Sequence, residues 1–267
     1  MEKNIQEKIK RLKNIISSYE NIAVAFSGGV DSSFLLKISS EALGKKCIAF
    51  TFETPAHLKD EINQAKKIAQ SLNVKHIIIP VDLTELKEFQ SNTFDRCYHC
   101  KKFMFSKLKN QVKNKGIEYI LEGSNSDDLN DYRPGMKALQ ELDIKSPLIE
   151  AGLNKSEIRE ISKQIDLPTW DKPANPCLAT RIPYGETISK VKLKQVKEAE
   201  KILHNIGINE LRVRNQNNIA RIEVKKTDYQ LILDNTEKII KKFKELGFTY
   251  ITLDVEGFRS GSLNEVI

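Results

Sequence analysis

The chain has 267 residues, of which 40% are hydrophobic and 30% are charged, as is ordinary for a globular protein. No uninterrupted apolar run approaches the roughly 20 residues that a membrane-spanning helix requires, and the charged amino-terminal segment lacks a secretory signal. We therefore expect a cytoplasmic protein that does not enter a membrane. The net charge of +7 permits a polyanionic partner. However, lysines are interspersed with glutamates along the predicted helices, as on solvated faces, so nucleic acid is not the expected partner.

The chain begins with a predicted amphipathic helix, because apolar residues between Ile5 and Tyr19 recur at helical spacing. From Asn21 to about Leu167, strand and helix patterns then alternate. The runs NIAVAF, KCIAFTFE, KHIIIPVDL and EYILEGSN predict strands. The last helical pattern of this region, NKSEIREISKQIDL, begins at a capping residue that is either Asn154 or Ser156. The alternation predicts an α/β domain with a parallel sheet.

The pattern changes in the segment PTWDKPANPCLATRIPYGETIS, which is rich in proline and turn-forming residues and predicts an ordered loop. Beyond it we predict a helix over about 190–206, the strands ELRVR and IARIEV joined by the turn NQNN, a further helix and the strand YITLDVE. These elements make up a smaller α+β domain. We place the boundary near Glu186, with the α/β domain over 1–186 and the smaller domain over 187–267.

The segment SGGVDSS lies between the first predicted strand and the helix that follows it. Two glycines allow the backbone to approach a phosphate closely, and the N–H groups at the start of a helix attract anions. The alternative, a polar turn that only caps the helix, does not require this Ser-Gly-Gly-x-Asp-Ser pattern. Neither GxxxxGK[ST] nor GxGxxG occurs in the chain, which disfavours kinase-type phosphoryl transfer and dinucleotide redox chemistry.

The same segment resembles the phosphate loop of the PP-loop ATP pyrophosphatase superfamily, which includes GMP and NAD synthetases and several sulfur-inserting enzymes. The resemblance implies that a substrate oxygen attacks the α-phosphate of ATP, which gives an adenylate and pyrophosphate. It also implies that adenine lies against the end of the second strand. We predict a nucleotide site formed by Ala25, Phe26, Ser27, Gly28, Gly29, Val30, Asp31, Ser32, Ser33, Phe52 and Gly123.

The four cysteines differ in their surroundings. Cys47 lies within an apolar strand and is expected in the core. Cys97 and Cys100 form the motif RCYHCK, whose spacing places both sulfurs on one helix face, and such a pair suits a structural, redox or metal role. Cys177 lies in the irregular proline-rich segment. The last three cysteines are one short of a structural zinc site, but they match a [4Fe–4S] cluster with one open iron.

Several further blocks, DRCYHCKK, EGSNSDDLNDYRPG, KPANPCLATRIPYGE and LDVEGFRSGSLN, together resemble the LarE family over nearly the whole chain. Members of that family are sulfur transferases that help to build the nickel-pincer nucleotide cofactor. The resemblance implies that a carboxylate of pyridinium-3,5-biscarboxylic acid mononucleotide, a small anionic nucleotide, is adenylated and then converted into a thiocarboxylate. The family's sulfur-donating cysteine matches Cys177, the predicted catalytic residue.

The LarE family is known in two types. In some members the donor cysteine is consumed and becomes dehydroalanine. Others carry an additional CxxC and are thought to bind a [4Fe–4S] cluster that holds a transferable sulfide. With Cys97 and Cys100, this chain resembles the second type. The resemblance then implies that Cys177 is the third cluster ligand, and the alternative is a consumed donor.

A substrate with two carboxylates and a phosphate calls for guanidinium groups and hydroxyl donors. The predicted substrate-binding residues are Arg181, Arg212, Arg214, Arg259 and Ser260. For each arginine, the alternative is an ordinary salt bridge.

Carboxylates suit Mg²⁺, which the ATP chemistry uses. The candidate magnesium ligands are Asp31 and Asp128, and the alternative for Asp128 is a turn-capping role. We also expect the chain to form a homo-oligomer.

Three other functions are compatible with parts of the pattern. A PP-loop tRNA thiolase would share the loop and the cysteines, but the sequence has no RNA-binding appendage or aromatic-rich basic patch. An amide synthetase that uses ammonia would leave the three cysteines unexplained. A nucleotide-binding regulatory protein would need no catalytic chemistry at all.

Overall fold

The structure is a computed structural model that describes residues 2–130, 133–173, 175–259 and 261–266. The β-strands are β1 (Ile22–Ala25), β2 (Cys47–Glu53), β3 (Lys75–Pro80), β4 (Tyr119–Leu121), β5 (Leu211–Gln216), β6 (Ile219–Val224) and β7 (Tyr250–Leu253). The α-helices are α1 (Glu2–Ser17), α2 (Val30–Leu43), α3 (Lys59–Ser71), α4 (Lys87–Gln90), α5 (Arg96–Lys113), α6 (Gly135–Glu141), α7 (Pro147–Glu150), α8 (Lys155–Gln164), α9 (Lys190–His204), α10 (Tyr229–Asp234) and α11 (Thr236–Glu245). None of the described helices is both long enough and apolar enough to span a membrane.

Within the described residues, β1 to β4 form a parallel sheet in the order β3-β2-β1-β4. The predicted parallel α/β fold is therefore confirmed. Strands β2 and β3 lie on one side of β1, and β4 lies on the other side. In such sheets, ligands bind beyond the carboxyl ends of the strands where the strand order reverses, which here is the gap between β1 and β4.

Hydrophobic burial explains how the helices pack against this sheet. The strand IAVA is inaccessible to solvent over nearly its whole length, as expected when helices cover both faces of a parallel sheet. Helix α2 packs against α1 and α8, and their apolar faces share one core that includes Leu12, Phe34 and Ile158. The predicted cap of α8 is also confirmed, because the Asn154 side chain accepts a hydrogen bond from the backbone N–H of Glu157.

The second sheet consists of β5, β6 and β7 among the described residues, with β5 and β6 antiparallel and β6 and β7 parallel. The predicted turn NQNN joins the first two strands through Asn217 and Asn218, whose φ angles of 47° and 66° suit a tight hairpin. A separate hydrophobic core lies here and includes Leu203, Val213 and Phe243. The smaller α+β unit is thus built around its own core.

The chain divides into two compact units whose bounds differ from the predicted boundary at Glu186. The first unit contains the residues up to Val81 and Asp95–Asn175. The second unit contains Asp82–Phe94 and the residues from Pro176 onward. The short excursion over Asp82–Phe94 thus interrupts the first unit in sequence but belongs to the second in space. No pattern in the sequence indicated this division.

Asn92 explains why this excursion belongs to the second unit. The side chain is fully buried, and its Nδ2 donates to the backbone carbonyls of Ile182, at 3.2 Å, and Pro183, at 2.6 Å. The backbone carbonyl of Asn92 accepts from the N–H of Gly185 at 3.0 Å. Asn92 therefore joins two segments that lie about ninety residues apart in the sequence. The φ of Asn92 is 53°, a conformation that asparagine tolerates better than most residues.

Replacing Asn92 should destabilise the second unit. The Asn92→Gly change keeps the positive φ accessible but removes the side-chain donor, so we expect a loss of about 2 kcal/mol in the free energy of unfolding. Asn92→Ala should cost about 1 kcal/mol more, because alanine disfavours this backbone conformation. Urea unfolding measures both values. Asn205→Ala, at the exposed end of α9, is the matched control. A loss below about 0.5 kcal/mol for Asn92→Gly would contradict this role.

Candidate functional site

The phosphate loop begins at Phe26, whose backbone N–H and carbonyl are both held by hydrogen bonds. Its N–H donates to the carbonyl of Phe50 at 2.8 Å, and the hydroxyl of Thr51 donates to its carbonyl. Nε2 of His76 lies 2.7 Å from the same hydroxyl. Since the hydroxyl proton is directed to Phe26, this nitrogen must be the donor. The entrance to the loop is thereby fixed to β2 and β3.

The start of α2 presents backbone N–H groups without a side-chain cap. Gly29 is the N-cap residue, and the hydroxyl of Ser32 donates to its carbonyl at 3.2 Å. The hydroxyls of Ser27 and Ser32 are 3.0 Å apart, so they lie together above the loop. The first N–H groups of a helix are unpaired within the helix and carry a partial positive charge. This geometry suits a bound phosphate.

Gly28 and Gly123 allow the loop segments to pack closely against neighbouring residues. Gly28 has a φ of 73°, and a Cβ there would lie 3.2 Å from the Cβ of Ala65. Gly123 follows β4, and a Cβ there would lie 3.0 Å from the backbone nitrogen of Ser32. The two predicted loop segments, after β1 and after β4, therefore meet at the first turn of α2.

Asp31 lies in this first turn, and its side chain is only 20% exposed to solvent. Its Oδ2 pairs with Nζ of Lys155 at 2.5 Å. Its Oδ1 is buried and has no hydrogen-bond partner among the described residues. Burial raises the pKa of Asp31, and the Lys155 ammonium opposes that shift. A buried carboxylate oxygen without a partner fits a hard cation such as Mg²⁺.

Asp128 contributes to the pKa shift of Asp31, so the two predicted magnesium ligands are neighbours. However, both oxygens of Asp128 are engaged: Oδ2 accepts from the N–H of Asn125 at 3.0 Å, and Oδ1 pairs with Arg133 at 2.8 Å. Asp128 thus shapes the loop after β4, and its role as a metal ligand stays a prediction.

Two lysines at the loop were missed from the sequence. Lys155 follows the N-cap of α8 and reaches Asp31. Lys172 comes from the proline-rich segment, and its Nζ donates to the carbonyl of Gly28 at 2.9 Å. Burial lowers the pKa of Lys172, and Glu61 opposes that shift. No local sequence pattern distinguishes these two lysines from the many others in the chain.

The other predicted nucleotide residues are near the same edge. Ala25 ends β1 and Val30 begins α2. Ser33 is buried, and its hydroxyl has no hydrogen-bond partner among the described residues. Phe52 lies at the end of β2, half-buried, with its ring edge-on to Phe105 at a centroid distance of 5.7 Å.

The cysteines fall into three environments. Cys47 is buried in β2 within the hydrophobic core, which confirms the predicted core role. Burial raises its pKa to about 12. Cys97 is exposed and Cys100 is half-buried, and both lie in the first turns of α5 in the first unit. Nη2 of the buried Arg96 is 3.9 Å from Sγ of Cys97. Cys177 is half-buried in the second unit, where it precedes the 3₁₀ turn Leu178–Arg181.

No disulfide bond joins these cysteines in the described part of the chain. Nor do the described residues contain a group of three or more His, Cys, Asp or Glu side chains that could hold a metal ion. The predicted ligands of an iron–sulfur cluster are divided between the two units: Cys97 and Cys100 in the first, Cys177 in the second. Thiols at and near the surface nevertheless have the chemistry that an iron–sulfur cluster requires.

Two of the predicted substrate-binding arginines form buried ion pairs in the second unit. Arg181 is fully buried, with Nε and Nη2 donating to Glu200 at 2.8 and 3.1 Å. Arg214 forms an equivalent pair with Glu223, with both distances at 2.9 Å. Such two-fold contacts are geometrically specific. These pairings match the salt-bridge alternative for each arginine, but the sequence did not indicate which glutamates would be the partners.

Arg212 lies on the same strand, and its guanidinium is 5.1 Å from the ring centroid of Phe258. Burial lowers its pKa to about 10, and the nearby positive charges of Arg181 and Arg214 contribute. Arg259 instead pairs with glutamates, Glu256 at 2.9 Å and Glu265 at 3.0 Å. These contacts raise its pKa. Ser260 lies outside the described residues.

Comparisons with known proteins identify the family of the chain. The asparagine synthase family matches residues 12–219 of the chain. An uncharacterized protein of Synechocystis sp. is 37% identical over 98% of this chain and 99% of its own length. The pyridinium-3,5-bisthiocarboxylic acid mononucleotide synthase of Lactiplantibacillus plantarum is 34% identical over 94% of this chain and 92% of its own length.

A tRNA-specific 2-thiouridylase of Leptospira biflexa is more distant, with 27% identity over 58% of this chain and 50% of its own length. The chain therefore belongs to the asparagine synthase family of PP-loop proteins and, within it, to the LarE family, which contains the pyridinium-3,5-bisthiocarboxylic acid mononucleotide synthases.

Proposed function

We propose that the protein is an ATP-dependent sulfur transferase, which converts a carboxylate of pyridinium-3,5-biscarboxylic acid mononucleotide into a thiocarboxylate. The observation that carries this proposal is the similarity to the Lactiplantibacillus plantarum synthase along 94% of the chain. The uncapped start of α2, with its two adjacent lysines, adds a site for the phosphates of ATP. A tRNA thiolase has less support, because the thiouridylase relative matches little more than half of the chain.

The first half-reaction is adenylation. A carboxylate oxygen of the substrate attacks the α-phosphorus of ATP, and the bond from that phosphorus to the bridging oxygen of pyrophosphate breaks. Negative charge then accumulates on the leaving pyrophosphate. The N–H groups of α2 and the ammonium groups of Lys155 and Lys172 are placed to stabilise it, since fixed donors at a developing charge need no reorganisation.

Magnesium is the cation we assign to this half-reaction. Asp31 would hold it, because its Oδ1 is buried and lacks a hydrogen-bond partner in the described structure, while Lys155 neutralises the other oxygen. When bound, Mg²⁺ supplies positive charge that screens the phosphate oxygens from the incoming carboxylate.

The second half-reaction replaces the adenylated oxygen. A sulfur nucleophile attacks the carbonyl carbon of the adenylate, the carbon–oxygen bond breaks, and AMP leaves with the bonding electrons. The product is a thiocarboxylate. The same two steps on the second carboxylate give the bisthiocarboxylate named for the relative.

We assign the source of sulfur to Cys97, Cys100 and Cys177, which would together hold a [4Fe–4S] cluster. The support is the donor set: two thiols one helical turn apart on α5 with Arg96 beside one of them, and a third thiol at the start of a 3₁₀ turn. When bound, the cluster supplies a transferable sulfide. Cys177 is then a ligand rather than a consumed donor.

Substrate binding by the arginines of the second unit also stays a proposal. Arg181 and Arg214 are engaged with glutamates, so their contribution would be to hold Arg212 and the adjacent backbone. Arg212 is half-buried and has a lowered pKa, and an anion beside it would offset the repulsion among the guanidinium groups. A homo-oligomer remains a prediction of the same kind.

The reaction itself can be tested with the purified chain, prepared and assayed without oxygen. With ATP, Mg²⁺, sulfide and the biscarboxylate nucleotide, we expect release of pyrophosphate and a mass gain of about 16 Da for each oxygen replaced by sulfur. Pyrophosphate assay and mass spectrometry measure the two halves separately. Thiolation of tRNA, with no mass change in the small nucleotide, would favour the tRNA thiolase instead.

Lys172, one of the two lysines at the phosphate loop, gives a second test. Lys172→Met should lower kcat/KM for ATP by about a hundredfold, because one fixed positive charge is lost beside the leaving pyrophosphate. Pyrophosphate release measures the rate. Lys113→Gln, an exposed lysine at the end of α5, changes the net charge equally and should keep full activity. Similar kinetics for the Lys172 variant and the wild type would rule out this role.

Iron content tests the cysteine assignment. Anaerobically reconstituted protein should hold about four irons per chain. Single Cys97→Ala, Cys100→Ala and Cys177→Ala changes should each lose most of that iron, because each removes one of three ligands. Cys47→Ala is the matched control, since Cys47 is buried in the core and should leave the iron content unchanged. Binding of one zinc and no iron would refute the assignment.

A further inference from the structure

Helix α8 reaches the phosphate loop directly through one side chain and indirectly through a second. Lys155 and Arg159 are one helical turn apart, so their side chains emerge from the same face of the helix. Lys155 pairs with Asp31. Arg159 makes no contact with the loop that the structure records, but it holds the segment from which Lys172 reaches the loop.

The contacts of Arg159 are directed at that segment's backbone. Its Nη1 donates to the carbonyl of Trp170 at 2.8 Å, and its Nη2 donates to the carbonyl of Lys172 at 2.6 Å. The planar guanidinium offers two parallel donors that a lysine cannot reproduce. Both carbonyls belong to irregular backbone, which has no helix or strand to fix it.

The same segment is already folded into tight turns. The N–H of Trp170 donates to Leu167 at 3.1 Å, and the N–H of Lys172 donates to Thr169 at 3.1 Å. Arg159 connects these turns to α8. The ammonium of Lys172 then sits 2.9 Å from the carbonyl of Gly28, so a shift of the segment would move this charge away from the loop.

The base of α8 is itself firmly anchored. Asn154 and Glu157 form a reciprocal capping box at its first turn. Glu157 also pairs with Lys8 of α1 at 2.7 Å. A rigid first turn means that the positions of Lys155 and Arg159 are set together.

We propose that Arg159 is a positioning residue for ATP, which acts by holding the backbone of residues 170–172 so that the Lys172 ammonium faces the phosphate loop. The proposal rests on the proposed function, since it assigns a role within the same ATP site. Arg159 would touch neither ATP nor the reacting atoms.

A double-mutant cycle with the full-length protein tests this role. The measured quantity is the Kd for ATP with Mg²⁺, determined by titration calorimetry, together with kcat and KM for pyrophosphate release. Arg159→Gln should raise the Kd about tenfold in the presence of Lys172. In combination with Lys172→Met, the same change should alter the Kd less than twofold, because the side chain that Arg159 positions is already gone.

Two further variants separate positioning from folding. Arg159→Lys retains the charge but only one of the two donors, so it should recover part of the lost affinity. Lys113→Gln is the charge-matched control. The thermal midpoint of unfolding is measured for each variant. If the role of Arg159 were purely structural, its replacement would lower this midpoint. It would also weaken ATP binding equally in the presence of Lys172 and in the Lys172→Met variant.

The outcomes are distinct. Non-additive Kd values with partial recovery by Arg159→Lys support the positioning role. Additive Kd values, with tight ATP binding by the wild type, would overturn the role of Arg159 and leave the proposed function intact. Failure of the wild type to bind ATP would overturn both.

Discussion

The uncapped first turn of α2 is the feature on which the proposed ATP site of the first unit depends. Backbone N–H groups at a helix start are costly to leave without partners, and here no side chain caps them. Gly123 keeps a side chain away from the backbone nitrogen of Ser32, and Gly28 allows the loop to pack closely against Ala65. Lys155 and Lys172 bring positive charge to the same loop. Unpaired N–H groups and nearby ammonium groups together suit an anion such as a phosphate.

The second unit uses charge in the opposite way. Arg181 and Arg214 are paired with glutamates inside the unit, where an unpaired guanidinium would be costly. Breaking such a pair is destabilising, although the intact pair need not add net stability. The arginines therefore fix the strand that carries Arg212, and their presence in the sequence does not by itself mark a ligand contact. Residue type alone could not separate these roles.

Much of the fold could be predicted because it follows from local patterns. The buried strands are continuous apolar runs, and Asn154 caps α8 through a side chain three residues from its partner. The division into units could not be predicted in this way. Asn92 joins segments that are distant in sequence through hydrogen bonds to backbone carbonyls, and no residue pattern encodes which carbonyl a side chain will reach.

The sequence by itself determined the parallel sheet, the phosphate loop, the burial of Cys47 and the family, since each follows from local patterns or from a set of short motifs. Only the tertiary structure decided which of the many lysines serve the loop, which arginines are neutralised, and that Asp31 keeps one buried oxygen without a described partner. These properties depend on the distances between residues remote in the chain. Direct ion pairs and hydrogen bonds form between atoms that are close in space, whatever their separation in sequence, so they appear only after the chain has folded.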